Sequence, residues 1–269
     1  MQTLRKAFGL GINTLIGRKS YRRDYSFYPD DLFLVSYPKS GNTWCRFMLA
    51  QIMHPDLEID FTNVDRLAPD IYRPTDFQLK RVIRPRLIKS HDYYDPRYRW
   101  VVFVVRDPRD VVLSYYHFMI RRRKIQPNEP MERHVCRFLA GDLDRYGAWH
   151  ENVGSWIGAR EGTPGFVMVR YEDLKADPTT ELVRICQHQG LEYDDLLIKR
   201  AIAAGDSKRM RKLEKEQLRQ WIGAKGTNTG IPFVRSATAG GWKVQLEPRL
   251  VDLITHTCGR QMSSIGYKT

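Results

Sequence analysis

Three apolar runs do most to limit what this chain can fold into. They are Leu32-Phe33-Leu34-Val35-Ser36-Tyr37, Trp100-Val101-Val102-Phe103-Val104-Val105 and Phe166-Val167-Met168-Val169-Arg170-Tyr171. Each is short, rich in branched and aromatic residues and bounded by turn-forming or charged residues, which is the pattern of a strand. The middle run shows no alternation at all. Both of its faces must be covered, as in a parallel sheet packed between helices. A shorter run, 86–89, adds a fourth strand.

Helical patterns separate these strands. Residues 43–53 carry Trp44, Phe47, Met48 and Ile52 at helical spacing and are stopped by Pro55. After the strand at 100–105, Asp107 is a good N-cap, Pro108 suits the first helical position and Asp110 falls in the first turn, so a helix is predicted to about Arg122. Further helices are predicted over 145–160, 179–189, 209–220 and 248–257. Residues 54–85 read as loops with short helical pieces, 123–145 as a polar excursion, 172–178 as a turn and 223–241 as a long loop. The alternation implies an α/β fold, a central parallel sheet flanked by helices in a single domain over 1–269. Residues 1–30 form a basic leading segment and the core spans about 31–258. Ligands in such folds bind at the carboxyl ends of the strands, where Tyr37, Lys89 and Arg106 stand.

Charge narrows the partners. Lys and Arg number 44 against 31 Asp and Glu, a net charge of +13. Such a chain attracts anions: nucleotides, nucleic acid, sulfated or phosphorylated substrates, or acidic membrane surfaces. A hydrophobic content of 42% excludes a disordered chain. The cysteines Cys45, Cys136, Cys186 and Cys258 form no close pair, which argues against a zinc site or a disulfide scaffold. A reduced, cytoplasmic protein with buried thiols and no metal is expected. No apolar run approaches the ~18 residues of a transmembrane helix. Residues 1–17 are too polar and Gly-rich for a signal peptide. Their basic pattern is compatible with weak contact at a membrane surface, although a plain surface segment is the simpler expectation.

The connection Pro38-Lys39-Ser40-Gly41-Asn42-Thr43 lies between a strand and a helix. Gly41 allows a close backbone turn, the following amides and the helix N-terminus favour an anion, and Lys39, Ser40 and Thr43 add a charge and two hydroxyls. The nucleoside-triphosphate loop places its lysine after a second glycine; here the lysine precedes a single one. An ordinary strand–turn–helix connection with a surface lysine would look the same locally.

The octet Tyr37-Pro38-Lys39-Ser40-Gly41-Asn42-Thr43-Trp44 closely resembles the YPKSGTTW signature of sulfotransferases that use 3′-phosphoadenosine 5′-phosphosulfate (PAPS). Asn42 stands where Thr is usual. The resemblance implies a P-loop-like nucleotide-binding core, a Lys39 that contacts the 5′-phosphosulfate, and a Trp44 that stacks on adenine. Arg106, Asp110, Ser114 and the aromatic residues after it resemble the family's second motif, RxxxDxxxSxY, which implies that Arg106 and Ser114 bind the 3′-phosphate. A guanidinium at the carboxyl edge of a sheet suits bidentate phosphate contact in any case; an ion pair of Arg106 with Asp110 or Glu172 is the structural alternative.

Lys89-Ser90-His91 resembles the family's K-[TS]-H, which implies that His91 is the catalytic base and that Lys89 assists at the transferring group. Sulfuryl transfer requires removal of the acceptor proton, stabilisation of the planar sulfuryl group and neutralisation of the leaving bisphosphate. A neutral His suits the first; Lys39 and Lys89 suit the others. Tyr171, in Arg170-Tyr171-Glu172-Asp173-Leu174, matches a residue near the nucleotide in the family, or is a strand-end tyrosine packed under a turn. Phe233 to Lys243 resembles FxRKGxxGDWK, so that Arg235, Ser236 and Ala237 fall on the 3′-phosphate clamp, with Ser236 in place of Lys and Ala237 in place of Gly. The stretch that contacts adenine in the family falls near Gly205-Asp206-Ser207, without its phenylalanine.

The resemblance implies a PAPS-dependent sulfotransferase with adenosine 3′,5′-bisphosphate as product, no metal, and a small-molecule acceptor bearing a hydroxyl or, as second choice, an amine. A pocket roofed by 61–85, 123–145 and 213–233, with Phe61, Tyr72, Phe77, Met119, Met131 and Trp221, is expected to take it. Two other classes compete. The runs Arg121-Arg122-Arg123-Lys124 and Lys208-Arg209-Met210-Arg211-Lys212 could contact nucleic acid, but no nucleic-acid-binding motif accompanies them, and solvated helix faces are the simpler reading. A P-loop-like kinase is disfavoured by the lysine position.

Overall fold

The structure, a computed structural model, describes residues 25–234 and 238–269. The apolar runs form strands β1 Leu32–Ser36, β2 Leu87–Ser90, β3 Trp100–Val105 and β4 Phe166–Arg170. All neighbours are parallel, in the order β2-β1-β3-β4. Leu32 pairs with both Leu87 and Trp100, and Val101 with Phe166.

The alternation hidden inside the apolar runs sorts the two faces. Phe33, Val35, Val101, Phe103 and Val105 face one core, and Leu34, Val102, Val104, Val167 and Val169 the other. Each strand is therefore buried on both sides, as an all-parallel sheet requires. The first face is covered by α4 Pro108–Arg121, α5 Met131–Leu139, α6 Trp149–Arg160 and α12 Pro248–Ser264. The second is covered by α1 Asn42–Met53, α8 Pro178–Gln189 and α9 Asp195–Ala204. Trp149 and Trp156 fill the first layer and Phe47 and Met48 the second. The remaining helices, α2 Val64–Leu67, α3 Asp76–Lys80, α7 Tyr171–Ala176, α10 Ser207–Gln217 and α11 Trp242–Gln245, are short or peripheral. The chain is thus a single α/β domain around a four-stranded parallel sheet.

The structure departs from the sequence reading at several places. Residues 171–176 form α7, not a turn; Glu172 and Asp173 in its first turn complement the helix dipole. The polar excursion contains α5, whose His134, Val135 and Phe138 are buried in the first layer. The unforeseen α9 is capped by Asp194, which accepts from the Leu197 amide at 2.7 Å, and its Ile198 and Ala201 are buried in the second layer. Helix α12 runs on to Ser264 because Cys258 and Met262 extend its buried stripe. The basic run at 121–124 is not a solvated face throughout either. Arg121 is buried, donating to Glu214 at 3.0 Å and to the Ile231 carbonyl. Of the thiols, Cys136 is exposed and the other three are buried. Among the described residues no helix is long and apolar enough to cross a membrane. The leading segment, residues 1–24, lies outside the described residues.

The chain leaves β1 toward β2 on one side and returns to β3 on the other. The loops after β1 and β3 therefore diverge, and a crevice opens between them at the carboxyl ends.

Candidate functional site

The loop after β1 is built to turn its amides outward. Lys39 has φ 69° and Gly41 φ 96°, both left-handed. Gly41 is fixed for two reasons: its backbone needs that region, and a Cβ there would meet Tyr171 Cδ2 at 2.6 Å. Gly41 caps α1 with no side-chain bond. The first amides of this helix, from Asn42 on, have no carbonyl of their own turn to bond, and they stand at the positive end of the macrodipole. Ser40 is fully buried and its Oγ has no partner among the described residues.

A cleft of about 450 Å³ opens over this loop. Lys39, Gly41, Asn42, Thr43, Trp44, Lys89, His91, Arg106, Ser114 and Tyr171 all line it. The sequence motifs, though spread over more than a hundred residues, thus meet in one place. The Lys39 ammonium lies 4.4 Å from the Phe118 ring centre and 4.5 Å from that of Phe233, a cation–π cradle that sets its direction. Trp44 stands edge-on to Tyr171 at 5.4 Å and packs against Gly205, where a Cβ would come within 2.9 Å of its Nε1. Tyr171 is both the support under the Gly41 turn and a cleft wall. Arg106 lies over its ring at 4.3 Å.

Arg106 donates to the Thr238 carbonyl at 2.8 Å and pairs loosely with Asp110 at 3.6 Å. Its Nε is buried without a partner among the described residues. Asp110 is turned mainly to the backbone amides of Gly240 and Trp242, at 2.6 and 3.1 Å. Glu172 accepts from the Asp107 amide and the Tyr267 hydroxyl instead. Of the two ion pairs weighed for Arg106, only that with Asp110 forms. Asn42 differs from expectation. Its side-chain amide donates to Ser36 Oγ at 3.0 Å and to the Leu34 carbonyl at 3.3 Å, so it ties α1 to the end of β1.

His91 follows β2 directly. Its Nδ1 lies 2.7 Å from the Ser36 carbonyl oxygen, which only an Nδ1–H can satisfy, so the lone pair of the neutral ring falls on Nε2. Its backbone amide donates to the Tyr72 hydroxyl at 2.7 Å, and its carbonyl accepts from Asn152 at 3.2 Å. Burial, then the Lys89 ammonium, push the imidazole down to about 3. It is neutral at any ordinary pH. Beside it, Lys89 donates to Asp70 at 2.7 Å. Burial works most strongly on the Asp70 carboxylate and against its charged form, yet the Lys89 charge and hydrogen bond, with smaller help from other neighbours such as Arg46, together hold the group well below the usual range. Burial also lowers Lys89, while Asp70 opposes that shift.

Asp70 is the residue that sequence reading missed. It reaches β2 by a single parallel bridge to Lys89, flanked by bonds from Lys89 N to Pro69 O and from Ile71 N to Lys89 O. Nothing local marks it as a partner for a distant lysine. Of the expected acceptor-pocket residues, Phe61, Tyr72 and Trp221 line the cleft. Phe77 is exposed, and Met119 and Met131 pack into the core. Arg145 and Tyr146 join the wall unforeseen. Arg235, Ser236 and Ala237 lie outside the described residues.

The family model for the sulfotransferase domain matches residues 29–266. Sulfotransferase 1B1 of Canis lupus familiaris is 27% identical over 231 residues, covering 80% of this chain and 77% of its own. Sulfotransferase 2A1 of Rattus norvegicus is 29% identical over 253 residues, with 88% and 85% covered. Among solved structures, mouse sulfotransferase SULT7A1 complexed with PAP superposes with a TM-score of 0.72 at 23% identity, covering 90% of this chain and 87% of that one. Retinol dehydratase in complex with androsterone and inactive cofactor PAP gives 0.72 at 18% identity, with 91% and 84% covered. The match spans both layers, all four strands and every wall of the cleft: the chain belongs to the sulfotransferase domain family.

Proposed function

We propose that this protein moves a sulfuryl group from PAPS to the hydroxyl of a small molecule, in line, with His91 as general base. One observation carries the reading. The His91 ring is tied through Nδ1 to the end of β1, so Nε2 is left as acceptor in the cleft that Lys39 and Lys89 also line.

The residues present fit the donor. The left-handed turn at Gly41 leads into the first amides of α1, which have no carbonyl of their own turn to bond. Among the described residues, Ser40 Oγ and Arg106 Nε are buried polar atoms without protein partners. Lys39, Ser40, Gly41, Thr43 and the Asn42 amide would hold the 5′-phosphosulfate, Trp44 and Tyr171 the adenine side, and Arg106 and Ser114 the 3′-phosphate. Arg235, Ser236 and Ala237 are assigned to the 3′-phosphate by resemblance alone. When bound, PAPS supplies a sulfuryl group whose bond to the 5′-phosphate oxygen breaks as the acceptor oxygen takes its place. His91 Nε2 receives the acceptor proton. Lys39 and Lys89 place positive charge where negative charge develops, and Asp70 keeps Lys89 charged and aimed.

The test is a thermal-shift titration with adenosine 3′,5′-bisphosphate against ADP and ATP. A ligand at 100 times its Kd adds about 2.7 kcal/mol, a shift of several degrees at this size. A shift with the bisphosphate well beyond that with ATP is expected; equal shifts would remove the 3′-phosphate from the reading.

A further inference from the structure

The acceptor end of the cleft is positively charged and aromatic. Four cations line it, Arg46, Arg73, Lys89 and Arg145, against two carboxylates, Asp65 and Asp70. Three of the cations are matched. Arg46 pairs with Asp65 at 2.8 Å, Arg73 with Asp65 at 3.4 Å, and Lys89 with Asp70 at 2.7 Å. No carboxylate pairs with Arg145 among the described residues. The neighbouring Asp144 accepts the Tyr146 amide at 2.7 Å; it and Asp70 act on the guanidinium only through space, without an ion-pair contact.

Arg145 is nevertheless held in place. Its guanidinium lies 4.2 Å from the Tyr72 ring centre and 5.3 Å from that of Tyr146, and it donates to the Tyr146 hydroxyl at 3.3 Å. The same two rings flank His91, at 6.3 and 5.4 Å between centres. One pair of tyrosines therefore joins the proposed base to an unmatched cation. A planar guanidinium fork is the group best shaped for a carboxylate or phosphate, and a face of Tyr72 and Tyr146 suits a flat ring.

Resting on the sulfuryl-transfer reading, we propose that the acceptor is an anionic hydroxyaryl compound, its carboxylate, phosphate or sulfate held by Arg145 and its ring by Tyr72 and Tyr146, so that its hydroxyl meets His91. A neutral phenol of the same shape fills the rings and leaves the guanidinium without its anion. Discrimination by a site that expects a charge is larger than discrimination by apolar fit alone.

The experiment uses the full chain saturated with adenosine 3′,5′-bisphosphate. A panel of hydroxyaryl carboxylates, phosphates and sulfates is titrated by calorimetry, each against its neutral amide or methyl ester. The bisphosphate titration is read first and alone. If it shows no binding, the sulfuryl-transfer reading fails and this inference falls with it. Given bisphosphate binding, at least one anion is expected to bind tenfold or more tightly than its neutral counterpart. Arg145→Gln should bring that ratio to within about twofold, and Arg145→Lys should restore part of it. The proposal is overturned if no anion in the panel is preferred, if the preference survives in Arg145→Gln, or if that variant weakens bisphosphate binding in parallel, which would assign the guanidinium to the donor.

Discussion

At the amino end of β2, Arg86 meets Asp31, and neither side chain is accessible to solvent; at its carboxyl end, Lys89 meets Asp70 with 13% and 10% exposed. The first pair is fully bonded. Arg86 Nε donates to Asp31 at 2.7 Å, and its other nitrogens reach Asp31 and the carbonyls of Leu79 and Ser26. The second is not, since a single bond to Asp70 leaves other N–H groups of Lys89 for the cleft it lines. The comparison teaches how one strand can carry two buried charges to different ends. A cation whose every nitrogen is bonded within the protein, closed to solvent, joins strand to loop and is not offered to a ligand. A cation matched once, at the mouth of a cleft, keeps its charge and direction and still has bonds to give.

The difference can be broken at three points. The largest effect belongs to His91, next in line after the open pair. His91→Ala should lower kcat by about 10²–10⁴-fold, the range of a general base, while bisphosphate binding survives. An enzyme that turns over normally without the imidazole would take His91 out of the mechanism. At the closed end, Arg86→Met strands a buried carboxylate, which costs about 3–5 kcal/mol. Its melting temperature should drop by roughly 10 °C, while kcat per folded molecule stays near that of the parent. A large loss of kcat in the folded fraction would show that the two ends are not separable. Asp70→Asn should do the reverse. Cleft water can reach Lys89, so the stability loss is smaller than for Arg86→Met. Without the carboxylate, the pKa of Lys89 falls further. The basic limb of the kcat profile should then move to lower pH, with kcat down about tenfold, some 1.4 kcal/mol. A merely structural Asp70 would leave that limb where it is.

The same contrast explains what the sequence made legible. The strands could be read because burial on both faces writes itself into consecutive residues, as in Val101 to Val105. The loop after β1 could be read because its geometry is local: a lysine and a glycine in left-handed conformations within three residues. Helix α4 announced its start in Asp107 and Pro108. Asp70 and Arg145 could not be read, because their roles arise only when distant segments meet. Asp70 gains meaning from Lys89, nineteen residues on, and Arg145 from rings at 72 and 146. Asn42 shows the opposite case. It lies within the best-marked motif, yet its side chain serves the sheet end, because Ser36 and Leu34 offer it two partners beneath the loop.

The smallest effect, and the finest probe of the open end, is the pH dependence that His91 imposes. Burial and the Lys89 charge lower its pKa from 6.5 to about 3. The neutral ring, the form able to take a proton, therefore persists far below the usual histidine range. The acid limb of kcat/KM reports free enzyme, so it should be flat from pH 8 down to about 5. A half-fall near 6.5 would mean an ordinary, solvated imidazole. Stability carries the same sign. Above pH 6.5 both folded and unfolded chains hold the ring neutral and nothing is gained. Below it the unfolded chain binds a proton that the folded one refuses, so stability is lost as pH falls toward 3, at up to about 1.4 kcal/mol per unit. His91→Gln should make that slope shallower by the share of His91, leaving the share of His134, which burial pushes down to about 4. Lys89→Met tests the electrostatic share: with the cation gone, the imidazole rises toward its ordinary value and the acid limb moves up in pH. If the limb does not move, burial alone sets the base, and the open pair at the end of β2 acts on the ligand rather than on His91.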